Sequence, residues 1–490
     1  MHRHNIEDMY TAVEVDRGFD VIIIVSSSSS QAEFWQDRLH YSIGKVMSRK
    51  TQVVSVEEDW PGGAGQLLGT LYAWEKANKQ IDLNGIIENG GTVAMYHTAG
   101  KGTRMAPIPA AEANNKSAIK LPRLIEVHGK KIAITVLEAV IFQTGIFAAS
   151  RKGRLCVFWG DQVFIPSESV DFGGAHHAEI LAIRGEIPSN AETWQRDWQS
   201  YGLVIPDPKS EGALQREKQS WAELQGLIDR GTVKSNESGK TILGKSLGCF
   251  SVSSALLYAL LEEFSAELAE KQSKMDTDPH LWMPLTSTRE EFELSGGDKS
   301  LWERIDRFKK SFSAEGMGLF GDKDLGSDTL WWDYGQVQLY YQNFIKLLED
   351  SSEGECLRQF FDLESYWVKS FDSDALLVEN SMILDSSVKG RIKNSILVGV
   401  SADELNVTDS VVIESSLSRA SASGALIYTC TDETNMELSS EEVLADVFLP
   451  KQGKVRMRTA LSRDGKEDWG DVILGNPYSF AELKKLVEER

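Results

Sequence analysis

The chain has 490 residues, 41% of them hydrophobic and 26% charged, which is enough for two or three domains with a large core. Its 52 basic residues against 73 acidic ones leave a formal charge of −21, which argues against a general nucleic-acid or membrane-surface binder. The longest aliphatic run, Val21 to Val25, falls far short of a bilayer span, and the polar start Met1-His2-Arg3-His4 is unlike a signal peptide, so a cytoplasmic chain is expected.

In chain order, Phe19 to Val25 is β-branched and predicts a strand, followed by a serine-rich loop and a helix beginning near Gln31. The pattern recurs, with strands over Thr51–Val56, Thr92–Tyr96 and Leu155–Trp159 and helices over Leu67–Lys79 and Ile132–Thr144. Apolar strands alternating with helices predict an α/β fold on a doubly wound, mixed but mainly parallel sheet covered on both faces. From about 185 to 330 the chain is more irregular. Its charged stretches Lys209–Lys218 and Lys234–Lys240 are expected to be solvated loops, and Ser254–Glu270 a helix.

After about residue 375 short β-rich lines echo one another: Ser381-Met382-Ile383-Leu384, Ser395-Ile396-Leu397-Val398 and Ser410-Val411-Val412-Ile413, with the serines 14 and then 15 positions apart. Polar turns alternating with aliphatic triplets predict a short β-solenoid, with a β-hairpin domain as the alternative. A closing helix is expected over Ser479–Arg490. The expected division is therefore 1–370, comprising a leading α/β segment 1–90 and a part 91–370, followed by 371–490. A chain cut after about 375 is expected to be destabilised yet still to bind nucleotide. The cysteines Cys156, Cys249, Cys356 and Cys430 lie far apart without a C-x-x-C pair, so they read as reduced, mostly buried thiols.

Three segments carry chemistry. A hydrophobic strand runs into Ala99-Gly100-Lys101-Gly102-Thr103-Arg104-Met105, where glycines let backbone N–H groups approach phosphate oxygens and cations neutralise charge. A surface turn is the plainer reading, and a P-loop is excluded because Gly102 follows Lys101. Val157-Phe158-Trp159-Gly160-Asp161 places a carboxylate at the carboxyl edge of the sheet, where open α/β folds bind ligands. Trp331-Trp332-Asp333-Tyr334-Gly335 offers a second acid. Asp161 and Asp333 together suit Mg²⁺, which takes few protein oxygens and keeps waters or phosphates for the rest.

The glycine loop, with Lys116-Ser117 or Lys120-Leu121-Pro122 after it, resembles the signature of nucleotide-sugar pyrophosphorylases (sugar-1-phosphate nucleotidylyltransferases). Gly160-Asp161, Tyr201-Gly202-Leu203-Val204, Glu217-Lys218, Gly248-Cys249-Phe250 and Trp332-Asp333-Tyr334-Gly335 follow in that family's order. The resemblance covers about residues 19 to 420 and implies a Rossmann-like, GT-A-like nucleotidyltransferase core followed by a left-handed β-helix-like domain. It implies catalytic roles for Arg104 and for Lys116 or Lys120, and nucleotide binding by Ala99, Gly100, Lys101, Gly102, Thr103 and Gly160. Sugar-phosphate binding would fall to Gly202, Glu217, Lys218 and Gly248, and Mg²⁺ to Asp161 and Asp333. The implied partners are a nucleoside triphosphate and a sugar-1-phosphate, with no nucleic acid, no membrane and a homo-oligomer as a possibility. Lys116-Ser117 is similar to the UDP-sugar branch, which implies UTP and glucose-1-phosphate. The leading 90 residues look more like the fucose-1-phosphate guanylyltransferase branch and some plastid-type UDP-glucose pyrophosphorylases, which keeps GTP and a plastid stroma open. The chain departs from the pattern in three places: Lys101 stands at a usual glycine, an Ala- and Pro-rich insertion precedes the lysine, and Gln219 follows Glu217-Lys218 where proline is usual.

Two rival readings remain. Gly63-Ala64-Gly65-Gln66-Leu67-Leu68-Gly69 opens a helix in the manner of a dinucleotide site, although Asp59-Trp60-Pro61 interrupts the approach. A non-catalytic regulatory subunit of the same fold is the other, against which stands the presence of both Asp161 and Asp333. His176-His177 suggests no metal site, since adjacent side chains on one element point apart.

Overall fold

The structure is a computed structural model and describes residues 1–170, 174–207, 212–236, 238–312 and 316–489. Contact density divides the chain into two units, each discontinuous in sequence. The first comprises Met1–Ala99, Thr144–Trp159 and Ile165–Thr329, and the second Gly100–Gln143, Gly160–Phe164 and Leu330–Arg490.

The first unit is mixed α/β, built on a nine-stranded, parallel-rich sheet. Seven strands run in the order Gly212–Arg216, Leu203–Asp207, Ile242–Ser253, Arg154–Trp159, Thr92–His97, Val21–Ser26, Gln52–Glu57. His176–Glu186 pairs with Ile242–Ser253 and carries Gly318–Asp324 beside it. The four strands from Arg154–Trp159 to Gln52–Glu57 are parallel, whereas Ile242–Ser253 is antiparallel to its partners. Every residue of Val21–Ser26 is buried, as a strand covered on both faces requires. The helix Ser29–Ser42 that follows starts where Ser28 Oγ accepts from Gln31 N, a side-chain cap for an otherwise orphaned donor. Because His97 and Trp159 are paired in parallel register, the chain leaves this sheet at Thr98 and at Gly160 from the carboxyl ends of neighbouring strands.

Several elements differ from expectation. Lys130–Thr135 is a strand paired with Lys120–Val127 across the left-handed turn His128-Gly129, so the helix expected from Ile132 begins only at Val136. The long helix expected over Ser254–Glu270 breaks at Phe264 into Ser254–Glu263 and Ser265–Glu270. The stretch expected as a charged loop, Lys209–Lys218, holds the strand Gly212–Arg216, which pairs with Leu203–Asp207; residues 209–211 lie outside the described residues, as does Glu237 in the second stretch. His176 and His177 are buried at a strand start, where His177 Nδ1 and Ser253 Oγ are 2.7 Å apart. All four cysteines are buried and none is in a disulfide among the described residues.

The second unit contains an eleven-stranded C-terminal sheet, the hairpin Lys120–Val127/Lys130–Thr135, and the short pair Gln162–Ile165/Leu330–Asp333. In the large sheet Met382, Ile396, Val411, Leu426 and Val443 are successive parallel partners, so the aliphatic triplets stack, buried except for the half-buried Ile383. Two pairs are antiparallel: Trp367–Asp372 on Leu376–Leu384, off the main strand path, and Glu442–Leu449 on Gly453–Ala460, at one end of it. The echoing serines form a buried ladder: Ser395 N donates to Ser381 Oγ at 3.0 Å, Ser410 N to Ser395 Oγ at 3.0 Å and Ala425 N to Ser410 Oγ at 3.2 Å. Each hydroxyl satisfies a buried N–H at the polar corner. The closing helix spans Phe480–Glu488 with a capping box from Ser479 and Glu482, and Arg490 lies outside the described residues. Among the described residues no helix is long and apolar enough to cross a membrane.

Candidate functional site

Ten of the residues singled out by sequence belong to the second unit: Gly100, Lys101, Gly102, Thr103, Arg104, Lys116, Lys120, Gly160, Asp161 and Asp333. Ala99, Gly202, Glu217, Lys218 and Gly248 belong to the first.

In the second unit the glycine loop folds back on Lys116. Gly102, at φ +60°, caps the turn Thr103–Met105, and a Cβ there would press on Lys116 Cβ and Pro109, so the left-handed backbone and the close approach both call for glycine. Lys116 opens the next short turn, Lys116–Ala118. Asp161 precedes Gln162–Ile165 and Asp333 ends Leu330–Asp333, the two strands that pair, and Tyr334 N donates to Asp161 O at 3.1 Å. Sheet pairing therefore brings together two acids that are far apart in sequence.

Lys116 Nζ lies 2.8 Å from Asp161 Oδ2, with side-chain exposures of 16% and 18%. Gly335 marks where the groups converge: a Cβ on it would lie 2.9 Å from Asp333 Oδ1, 3.3 Å from Arg104 Nη2 and 3.9 Å from Asp161 Oδ2. Asp333 Oδ1 accepts from Gly335 N at 2.6 Å. Burial is the main cause that raises the Asp333 pKa, and the Asp161 carboxylate adds to it; the Gly335 N–H, Arg104 and Lys116 act the other way. Two hard carboxylate ligands that repel one another fit a divalent cation such as Mg²⁺, whose charge would relieve the repulsion. Among the described residues no group of three or more His, Cys, Asp or Glu is placed to hold a metal, so the remaining ligands would come from water or phosphate.

Lys120 is engaged elsewhere. Its Nζ donates to Glu112 Oε2 at 2.7 Å, with exposures of 13% and 12%, and Tyr428 OH donates to Glu112 Oε1 at 2.6 Å. Lys120 N donates to Tyr428 OH at 3.0 Å, and Tyr340 OH donates to Lys120 O at 2.6 Å. Lys101 is exposed and stands apart from the acids, beside the C-terminal residues Trp469, Phe480 and Lys484.

In the first unit Gly202 faces Gln215 Nε2 and Glu217 Oε2. Gln215 is fully buried with neither side-chain polar atom hydrogen-bonded, and Glu217 Oε2 and Asp278 Oδ1 are likewise buried without a partner. Burial first, and then the Glu217 charge, pushes the Asp278 carboxyl up to about 7. Lys218 is exposed at φ +44°, its Nζ 3.1 Å from Glu217 Oε1, and Gly248 O accepts from Gln66 Nε2 at 3.2 Å. Gln219, at the expected proline, donates through Nε2 to Glu217 O at 2.9 Å. Sequence reasoning missed Gln215 and Asp278. Gln215 lies on the strand Gly212–Arg216, which the sequence reading took as a charged loop, and faces Gly202 together with Glu217 just beyond the strand end; Asp278 sits in a π-helical turn, Asp278–Trp282, with no motif to mark it.

The glycines before Gln66 open a helix whose leading donors are occupied. Gln66 N donates to Asp276 Oδ1 at 2.9 Å and Leu67 N to Met275 O at 2.9 Å, which leaves these N–H groups unavailable to a pyrophosphate. In comparisons with known proteins, no family model and no curated protein matches the chain.

Proposed function

We propose that the chain is a sugar-1-phosphate nucleotidylyltransferase that makes an NDP-sugar and pyrophosphate from a nucleoside triphosphate and a sugar-1-phosphate. The observation that carries this reading is the convergence of Arg104, Lys116, Asp161 and Asp333 on one point beside Gly335. A sugar-phosphate oxygen attacks the α-phosphorus, the bond from that phosphorus to the β-phosphate oxygen breaks, and pyrophosphate leaves in line. The attacking oxygen is already ionised at neutral pH, so no general base is needed. The protein must screen two anions from one another and stabilise charge on the leaving group. Arg104, on the open side of the loop, suits the leaving phosphates, and the close approach of Gly100 and Gly102 lets backbone donors reach them. Lys116, held by Asp161, is the lysine assigned to the phosphates, and Lys120 is assigned a structural role through Glu112. Mg²⁺ held by Asp161 and Asp333 would supply further charge neutralisation on the triphosphate.

The same reading takes the nine-stranded sheet as the Rossmann-like core of such enzymes and the stacked triplets of the C-terminal sheet as a short β-solenoid, supported by their unbroken parallel register from Met382 to Val443. Within the first unit, the unpartnered polar atoms of Gln215, Glu217 and Asp278 suit hydroxyl groups. UTP with glucose-1-phosphate is the favoured pair, resting on the likeness of Lys116-Ser117 to the UDP-sugar branch; GTP with a sugar-1-phosphate is the alternative from the leading segment. Four nucleoside triphosphates tested against a panel of sugar-1-phosphates with Mg²⁺, read by pyrophosphate release, decide it. Turnover of one pair well above the rest supports the reading, and no turnover of any pair overturns it.

A further inference from the structure

The insertion between the glycine loop and Lys116, residues Ala106 to Asn115, is the part of the signature that departs most from the family pattern. In the second unit it forms the seat of the chain's own C-terminal end. Ala106 and Ala110 are buried in one apolar cluster with Phe480, Leu483 and Val487 of the closing helix, with Ala111, Ala113 and Trp469 packed against it. Two contacts then reach the residues that carry the site's cations. Asn114, buried and left-handed at φ +62°, donates through Nδ2 to Lys484 O at 2.8 Å, two residues before Lys116. Buried Gly465 lies against the backbone oxygen of Thr103, the residue before Arg104, and a Cβ there would fall far inside contact distance of that oxygen and 3.1 Å from Ala106 Cβ.

We propose that the C-terminal segment from Gly465 to the closing helix is a positioning element for catalysis, which sets Arg104 from one side through Thr103 and Lys116 from the other through Asn114. This rests on the nucleotidyl-transfer reading of the site. The physical argument is that Arg104 is exposed and sits on a three-residue turn, while Lys116 sits on another. Turns this short have too few internal hydrogen bonds to fix a cation to a fraction of an ångström. A packed helix outside them supplies that constraint, and a misplacement of about 1 Å costs on the order of 100-fold in rate. Gly465 lies against Thr103 O and Asn114 bonds Lys484 O, so their effect is assigned through the cations beside them.

The test uses full-length protein carrying Gly465→Ala, which must displace the Thr103 backbone, or Asn114→Gly, which keeps the left-handed backbone and deletes the amide. Each is expected to lower kcat by roughly 10- to 100-fold with the KM for sugar-1-phosphate close to wild type, measured at a temperature where the variant is folded. Arg104→Ala added to Gly465→Ala is expected to cost far less than in wild type, because the arginine is already displaced. Wild-type kcat in both single variants, or full multiplication of the Gly465 and Arg104 penalties, would overturn the proposal. If Gly465→Ala fails to fold, Asn114→Gly carries the test. If wild type turns over no substrate pair, the nucleotidyl-transfer reading fails, and hydrogen exchange across residues 100–118 with pyrophosphate titration by calorimetry judges the positioning. Faster exchange and weaker pyrophosphate binding in the variants support it, and unchanged values refute it.

Discussion

Replacing Lys116 and Lys120 separately by alanine should separate chemistry from stability. Lys116 Nζ is held 2.8 Å from Asp161, in the group that converges on Gly335, so its loss removes one preorganised cation from the phosphates. Removal of one such contact costs about 3–4 kcal/mol of transition-state stabilisation, or roughly 10²- to 10³-fold in kcat. Lys120 Nζ instead bonds Glu112 and Ala118 O, in an ion pair whose partners are 13% and 12% exposed. Its loss leaves Glu112 with the Tyr428 hydroxyl but no cation, at about 2–4 kcal/mol, discounted from the fully buried case because some solvent reaches the pair. Pyrophosphate release and thermal unfolding on the same preparations measure both. The expected difference is in turnover: both variants lose a half-buried ion pair and melt lower, but Lys116→Ala also loses turnover, whereas Lys120→Ala keeps most of its turnover at low temperature. A Lys120→Ala enzyme that melts like wild type and loses as much kcat as Lys116→Ala would refute the assignment.

Asp161→Asn and Asp333→Asn should each abolish turnover without unfolding the chain, and wild-type turnover should vanish when divalent metal is chelated; near-normal rates in either case would remove the two-acid metal site. Asp278, pushed up to about 7, is an acid whose folded pKa lies above its unfolded value, so the fold loses stability as pH rises from about 4 to 7 and the penalty is constant above that. Asp278→Asn should flatten this slope and stabilise the protein at pH 8 by up to about 4 kcal/mol, less the screening allowed by its partial exposure; denaturant midpoints at pH 5 and pH 8 that shift equally in both proteins would exclude it. Leu397 is fully buried in the stacked triplets, so Leu397→Ala should destabilise by about 2–5 kcal/mol with kcat intact in the folded fraction, and unchanged denaturation would contradict the stacking.

The four parallel neighbours among the nine strands of the first sheet were legible because a buried parallel strand writes itself as an unbroken β-branched run, as at Val21 to Val25, and because its helices follow at regular intervals. The C-terminal triplets were legible for a related reason: each repeat meets the same neighbours, so the serine corners recur at nearly constant spacing. Ile132 was misread because a two-residue turn reverses the chain there, and a β-branched run of that length fits strand or helix until the turn is recognised. The site was legible in its residue types and not in its assembly. Asp161 and Asp333 meet through strand pairing across 172 positions of sequence, which no local pattern encodes. The choice between Lys116 and Lys120 was likewise unreadable, because it turns on which lysine finds Glu112.

That last contact also bears on where the chain can be cut. From the sequence, removal of everything after about 375 is expected to leave a destabilised chain that still binds nucleotide. In the structure the signature segment Gly100–Gln143 groups with Leu330–Arg490. Tyr428, from the fourth aliphatic line of the repeats, bonds both Glu112 and the Lys120 backbone, and the closing helix shares a buried cluster with Ala106 and Ala110. A chain ending at 375 would lose every one of these partners at once. Glu112 would lose the Tyr428 hydroxyl and Lys120 N its acceptor, the alanines would face water, and the two short turns bearing Arg104 and Lys116 would lose the surface that holds them. Apolar exposure and the release of turn backbone act in the same direction, so the truncated chain should lose phosphate binding together with stability. Retention of wild-type triphosphate affinity by that fragment would show that the loop orders itself without the C-terminal sheet.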